Sequence, residues 1–167
     1  AAIAHRVGID TLMAMLASEG GALCETALTV LKRLAKDNVP NQIAIINAGG
    51  IDKMLALLAS EIAGQREKAA AVLRNIAKDS EQNQAAIVDA GGLPLLSALL
   101  SAEEAGVRDK AAVAVRLLVK DNVHRQVALL ELRGLSCLQK LLPDESIAAE
   151  TKALGKLLDQ KLAKKKR

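Results

Sequence analysis

The chain repeats itself every 42 residues, and that period limits what it can fold into more than any motif does. Gly8, Gly50, Gly92 and Gly134 align without a gap, and so do Leu12, Met54, Leu96 and Leu138, then Leu16, Leu58, Leu100 and Leu142. Ala27, Ala69, Ala111 and Ala153 keep the same register, as do Ala35-Lys36-Asp37, Ala77-Lys78-Asp79 and Val119-Lys120-Asp121. A helical unit of this size cannot bury its apolar face alone and has to stack on its neighbours, which is the arrangement of an α-solenoid. The expectation is an all-α single domain over residues 1–167, in four repeats of roughly 1–40, 41–82, 83–124 and 125–167.

The second repeat predicts three helices. NQIAIINA, from Asn41, forms a short first helix that ends at Gly49-Gly50, where a tight reversal needs either a positive φ or a close backbone approach. Ile51, Met54, Leu55, Leu57 and Leu58 recur at spacings of three and four, the stripe of a second helix that stops near Ser60. Gly64 falls in the connection, and a third helix from about Arg66 to Lys78 buries Ala69, Val72, Leu73 and Ile76. The third repeat has the same layout over Asn83 to Ala90, Leu93 to Ser101 and Val107 to Lys120, with Pro94 at the start of its second helix. In the fourth, Arg133 replaces the first glycine, Pro143-Asp144 ends the second helix, and a charged helix around Glu150 to Lys164 suits a terminal cap. The first repeat is incomplete: residues 1–6 read as the tail of a helix, and Ala1 stands in place of a start methionine, so a fragment or a trimmed N-terminus is expected.

Composition removes several functions. Phe, Trp and Tyr are absent, and with them the stacking platforms for single-stranded nucleic acid, the anchors of membrane interfaces and the aromatic hot spots of many complexes. A net charge of +4 with acids interleaved among the bases argues against a nucleic-acid partner. No apolar run reaches the roughly 18 residues of a membrane span. Cys24 and Cys137 lack metal or redox spacing and read as small core residues, which fits a reducing intracellular setting, cytoplasmic before nuclear. His5 and His124 occupy unrelated repeat positions, and the glycine pairs recur between helices rather than after strands. The expectation is therefore no enzyme, no metal and no cofactor.

NQIAIINAGGIDKMLALL followed by KAAAVLRNIA, and NQAAIVDAGGLPLLSALL followed by KAAVAVRLLV, resemble armadillo repeats. The resemblance covers essentially the whole chain. It implies a right-handed superhelix whose third helices line a concave groove where extended peptides or partner proteins bind. Import receptors of this family hold basic peptides with a Trp and, four residues later, an Asn on the third helix. The Trp position is Thr29, Ala71 and Val113 in this sequence, and the Asn position is matched by Asn75 alone, against Arg33 and Leu117. The resemblance does not extend to a groove for nuclear-localisation signals.

On helical geometry the face opposite Val72, Leu73 and Ile76 comprises Lys68, Ala71, Asn75 and Lys78. The equivalents are Thr26, Thr29, Arg33 and Lys36, then Lys110, Val113, Leu117 and Lys120, with Lys32, Arg74 and Arg116 flanking. Basic residues at matching heights would form a ladder that favours an acidic extended partner, the arginines gripping carboxylates in pairs. A second reading places Lys36, Lys78 and Lys120 in the last turn of their helices, where cations complement the dipole. The terminal AKKKR likewise reads as a localisation or docking signal or as a solvated helix end. Set against a groove adaptor is a structural subunit of a cytoskeletal or membrane-associated assembly, with self-association through an open N-terminal edge.

Overall fold

The computed structural model of the chain describes residues 2–18 and 21–133. Those residues form nine α-helices and no strand. The helices are α1 (Ala2–Met15), α2 (Gly21–Ala35), α3 (Val39–Asn47), α4 (Gly50–Leu57), α5 (Ala63–Ala77), α6 (Glu81–Asp89), α7 (Gly92–Ala98), α8 (Ala105–Val119) and α9 (Val123–Arg133). A single 3-10 turn, Leu99–Ser101, extends α7. The triplets α3-α4-α5 and α6-α7-α8 are the short, short and long helices that the 42-residue pattern predicts. The expectations from Gly134 onward, including Cys137, Pro143-Asp144, the helix around Glu150 to Lys164 and the basic end, lie outside the described residues.

Each glycine pair divides its work. Gly49 and Gly91 take φ of 75° and 85°, the left-handed conformation that turns the first helix into the second. The following glycines answer a different need: a Cβ on Gly50 would stand 2.5 Å from the Ile45 side chain and 2.6 Å from its carbonyl oxygen. Gly92 meets Ile87 in the same way, at 2.6 Å and 2.7 Å. In the first repeat Val7 occupies the place of Gly49, and a β-branched residue resists positive φ. The reversal is consequently missing, and α1 runs straight through as one helix where a helix tail and a separate second helix were expected.

The long helices lie side by side, α5 touching α2 on one flank and α8 on the other more extensively than any other pairs do. Ala27, Ala69 and Ala111 are completely buried in them, and their small size permits the close approach. Val72, Leu73 and Ile76 are buried as the pattern requires, and so are Met54, Leu55, Leu58 and Ile45 in the layer beneath. Ile43 departs from its expected apolar role and is half exposed. Cys24 is buried beside α5, where desolvation and Glu25 push its thiol up from the ordinary value, consistent with a core residue.

The third helices begin earlier than predicted, at Ala63 and Ala105 rather than Arg66 and Val107. Gly64 and Gly106 are therefore not linker residues but part of the first turn. A Cβ on Gly64 would come 3.1 Å from the Glu25 carboxylate, and one on Gly106 would come 2.6 Å from that of Glu67. Each carboxylate sits near the N-terminal end of the next long helix, the end that favours negative charge.

Two aligned glycines should respond oppositely to alanine. Gly50→Ala has to displace backbone and is expected to lower stability by about 1–3 kcal/mol. Gly8→Ala lies in a helix with nothing within 4 Å of the new methyl and should raise stability by up to about 1 kcal/mol. Equilibrium urea unfolding of both variants checks the pair.

Candidate binding face of the third helices

The residues that join one repeat to the next also fix the ends of the candidate face. In the recurring Lys-Asp-Asn/Ser unit the lysine is the first residue past the helix, since α2, α5 and α8 end at Ala35, Ala77 and Val119. Lys36, Lys78 and Lys120 thus cap the helices instead of lying in their last turns, which corrects the placement expected from sequence. Asp37, Asp79 and Asp121 follow at φ of 50°, 57° and 59°, a left-handed conformation that Asp tolerates better than most residues. Asn38, Ser80 and Asn122 then accept hydrogen bonds from the backbone N–H of Asn41, Asn83 and Arg125, starting the next helix.

The free carbonyls at the end of each long helix are satisfied by the helix that follows. Asn41 Nδ2 donates to Leu34 O at 2.8 Å and Gln42 Nε2 to Ala35 O at 2.9 Å. Asn83 and Gln84 repeat this on Ile76 and Ala77, and Arg125 and Gln126 on Leu118 and Val119. Gln42 Nε2 also reaches Asn75 O at 3.1 Å, so one amide ties two long helices together. Arg66 and Arg108 perform a related task on the connections before α5 and α8, each donating through Nη1 to two backbone carbonyls there. Arg133, which replaces a glycine in the repeat, donates to Ser97 O and Ala98 O at the end of α7.

With the ends fixed, the accessible positions on this side of α5 are Glu67, Arg74 and Lys78, with the buried Ala71 between them. This stripe keeps Ala71 and Lys78 of the face expected from sequence and has Glu67 and Arg74 in place of Lys68 and Asn75. Asn75 is 4% exposed and Ala71 2% exposed, so neither can serve as the open contact residue that the sequence placed there. Asn75 instead faces α2, donating from Nδ2 to Lys32 O at 2.8 Å, while its Oδ1 accepts from Nε and Nη2 of Arg74 at 3.2 Å and 2.8 Å. The stripe on α2 is Glu25, Thr29, Lys32 and Lys36, and on α8 it is Asp109, Val113, Arg116 and Lys120. Thr29 is partly buried and bonds Glu25 O, Val113 and Leu117 are partly buried, and Arg33, Arg116, Lys36 and Lys120 are exposed.

The three stripes repeat their charge: an acid, a neutral residue, then two bases. Glu25 and part of the lysine rail are already engaged, whereas Glu67 and Asp109 form no ion pair among the described residues. Glu25 accepts from Lys68 of α5, and Asp37 from Lys78 at 2.6 Å. Lys78 holds the Asp37 carboxyl below the usual carboxylate range by hydrogen bond and charge, and Asp37 raises Lys78 in return. Arg66 likewise lowers Glu104, across a 2.8 Å pair from α5 to the residue before α8. Among the described residues Lys32, Arg74 and Arg116 form no ion pair. At the α2 end the face opens into a cleft of about 630 Å³ lined by Glu25, Thr26, Thr29, Val30 and Lys68.

Comparison with known proteins agrees with this geometry. Residues 38–78 and 80–120 each match the armadillo/beta-catenin-like repeat. The chain belongs to the armadillo repeat family. Among solved structures it is similar to an engineered protein, at 28% identity over 92% of this chain and 63% of that one, with a TM-score of 0.73. A designed armadillo repeat protein in complex with the peptide (KR)4 is 24% identical over 81% of this chain and 57% of that one, with a TM-score of 0.73. A structure describing a phosphorylation switch in the interaction between cadherin and beta-catenin shares the fold at 18% identity, over 90% of this chain and 27% of that one, with a TM-score of 0.72. The chain thus spans less than two thirds of each of these solved structures. No curated protein matches its sequence.

The ion pair and the cap make separate predictions. Because the Asp37 carboxyl is lowered in the folded chain, its contribution is complete above the ordinary carboxylate pKa and is lost as pH falls through the lowered value. Asp37→Asn should therefore narrow the stability difference between neutral and acid pH, read from urea midpoints across the carboxylate range. Gln42→Leu leaves two carbonyls without their donor and is expected to cost about 1–3 kcal/mol at any pH, measurable in the same titrations.

Proposed function

We propose that this chain is a non-enzymatic interaction scaffold that holds an extended, acidic segment of a partner protein along the basic rail of its third helices. The observation that carries this reading is the row Lys32, Arg74 and Arg116, one base per repeat at the same height and without a carboxylate partner among the described residues. Arg74 is held in place through Asn75, so less side-chain freedom is lost when it meets a carboxylate. Of the three stripe acids only Asp109 is exposed. Glu25 is matched by Lys68, and Glu67 lies against the first turn of α8.

The designed armadillo protein found with (KR)4 supports the use of this fold for extended peptides, but a basic rail would repel that ligand. The residues placed on the binding side are Lys32, Lys36, Arg74, Arg116 and Lys120, with Thr29 and Val113 providing the neutral floor. An acidic octapeptide, (DE)4, is expected to bind measurably at low salt by fluorescence anisotropy, with (KR)4 failing to bind. Arg74→Glu with Arg116→Glu should weaken (DE)4 by at least about tenfold, the effect of replacing two attractions by repulsions of order 1 kcal/mol each. Equal binding of both peptides, or no change in the double variant, would rule the rail out.

A further inference from the structure

We infer that the crevice between the ends of α5 and α8 is a second binding site, which takes the side-chain amide of a glutamine on a partner segment. The repeat makes two junctions equivalent, and they are built differently. At the junction of α2 with α5, Asn75 Nδ2 donates to Lys32 O, Gln42 Nε2 reaches Asn75 O at 3.1 Å, and Lys78 pairs with Asp37 at 2.6 Å. At the junction of α5 with α8 none of the three contacts recurs among the described residues. Leu117 stands in the place of Asn75 and has no donor to offer, Gln84 Nε2 donates to Ala77 O alone, and the carboxylate nearest Lys120 is that of its neighbour Asp121, 4.0 Å away, instead of Asp79. What is left is a crevice of about 290 Å³. A water occupies roughly 30 Å³ of liquid, so the space holds a side chain rather than one ordered water.

The lining selects an uncharged polar group. Arg125 is 9% exposed, and only its Nη1 is engaged, with Gln84 Oε1 and Leu118 O, both at 3.1 Å. Its Nε and Nη2 have no acceptor among the described residues, so the crevice calls for an oxygen. Around Arg125 the lining carries Asp79, Glu81 and Asp121 against Lys120. A carboxylate entering to meet Arg125 would face three acids, and a cation would face Lys120 and Arg125. A primary amide escapes both repulsions: its oxygen accepts from Arg125 while its NH2 donates to the surrounding carboxylates. The chain applies this solution to itself at the first junction, where the Asn75 amide accepts from Arg74 and donates to Lys32 O. Leu117 and Lys120 put the crevice beside the face of the third helices, so a partner lying along that face has to reach inward, and glutamine is the longer of the two amide side chains. The site shares Lys120 with the basic rail but does not require an acidic partner.

The test uses the full chain, labelled at Leu methyl groups and arginine side chains, and three blocked single-residue probes: N-acetylglutamine amide, N-acetylglutamate amide and N-acetylleucine amide. The glutamine probe is expected to give saturable shifts of the Leu117 methyl and Arg125 Nε–H signals, with a Kd on the order of 1 mM for a ligand of this size. The glutamate and leucine probes should bind at least about tenfold more weakly. Leu117→Asn supplies an amide from the chain itself and should abolish the Arg125 shift. Leu117→Ala removes the same side chain without supplying an amide and should keep the glutamine Kd within about fivefold. Misfolding would affect both variants, so their contrast isolates the filled crevice. Unmoved Leu117 and Arg125 signals, glutamate binding as tightly as glutamine, or an undiminished Arg125 shift in Leu117→Asn would overturn the inference. Because none of the probes spans the rail, these outcomes are independent of whether (DE)4 binds there.

Discussion

Everything in this structure depends on how closely one long helix can approach the next. The alanines at 27, 69 and 111 and the glycines at 64 and 106 keep the contact between successive third helices free of bulk. That closeness brings a carboxylate from one helix to the first turn of its neighbour and a lysine to the Asp beyond its neighbour's end. The 42-residue period is the sequence record of this contact. A repeat that drifted by one residue would turn its small face away from the stack and present Leu or Val in its place.

Close stacking creates a polar problem at the ends of the helices. Each long helix leaves its last carbonyls without partners in a partly buried place, and an unsatisfied buried acceptor is costly. Asn-Gln at 41–42 and 83–84, and Arg-Gln at 125–126, answer this with side-chain donors from the following short helix. The Asp at positive φ turns the chain so that those donors arrive in position. Capping, turning and stacking are thus one device, and its by-product is a set of helix ends with fixed heights, on which charges can be lined up.

Much of this was legible in the sequence, and the failures have definite physical causes. The helical triplets, the roles of Gly49-Gly50 and Gly91-Gly92, and the burial of Val72, Leu73, Ile76 and Cys24 follow from periodicity and turn chemistry. Gly64 was misread because glycine in a linker and glycine at a crowded helix start look alike in one dimension. Val7 carried a signal that its α1 helix would not break, since it stands where the other repeats have a glycine at positive φ. Asn75 was assigned to the open face because helical spacing defines a face only to within about one residue, or about 100°. Its amide is saturated by Lys32 and Arg74, a contact across 43 positions that no local pattern encodes. The recurrence of Asn-Gln and Lys-Asp in register was visible, and the capping role behind it could have been proposed from the orphan carbonyls alone.

The corrected face changes the functional account in one respect. Arginines at 74 and 116 and the lysine at 32 now form the row, while Asn75 becomes the post that holds Arg74. The most direct measurement is the side-chain Nε–H spectrum of the arginines during titration with (DE)4. The account predicts that Arg74 and Arg116 shift together and saturate at one affinity, with Arg66 and Arg108, occupied by backbone carbonyls, unmoved. Shifts confined to Arg66 and Arg108, or no arginine shift despite binding, would contradict it.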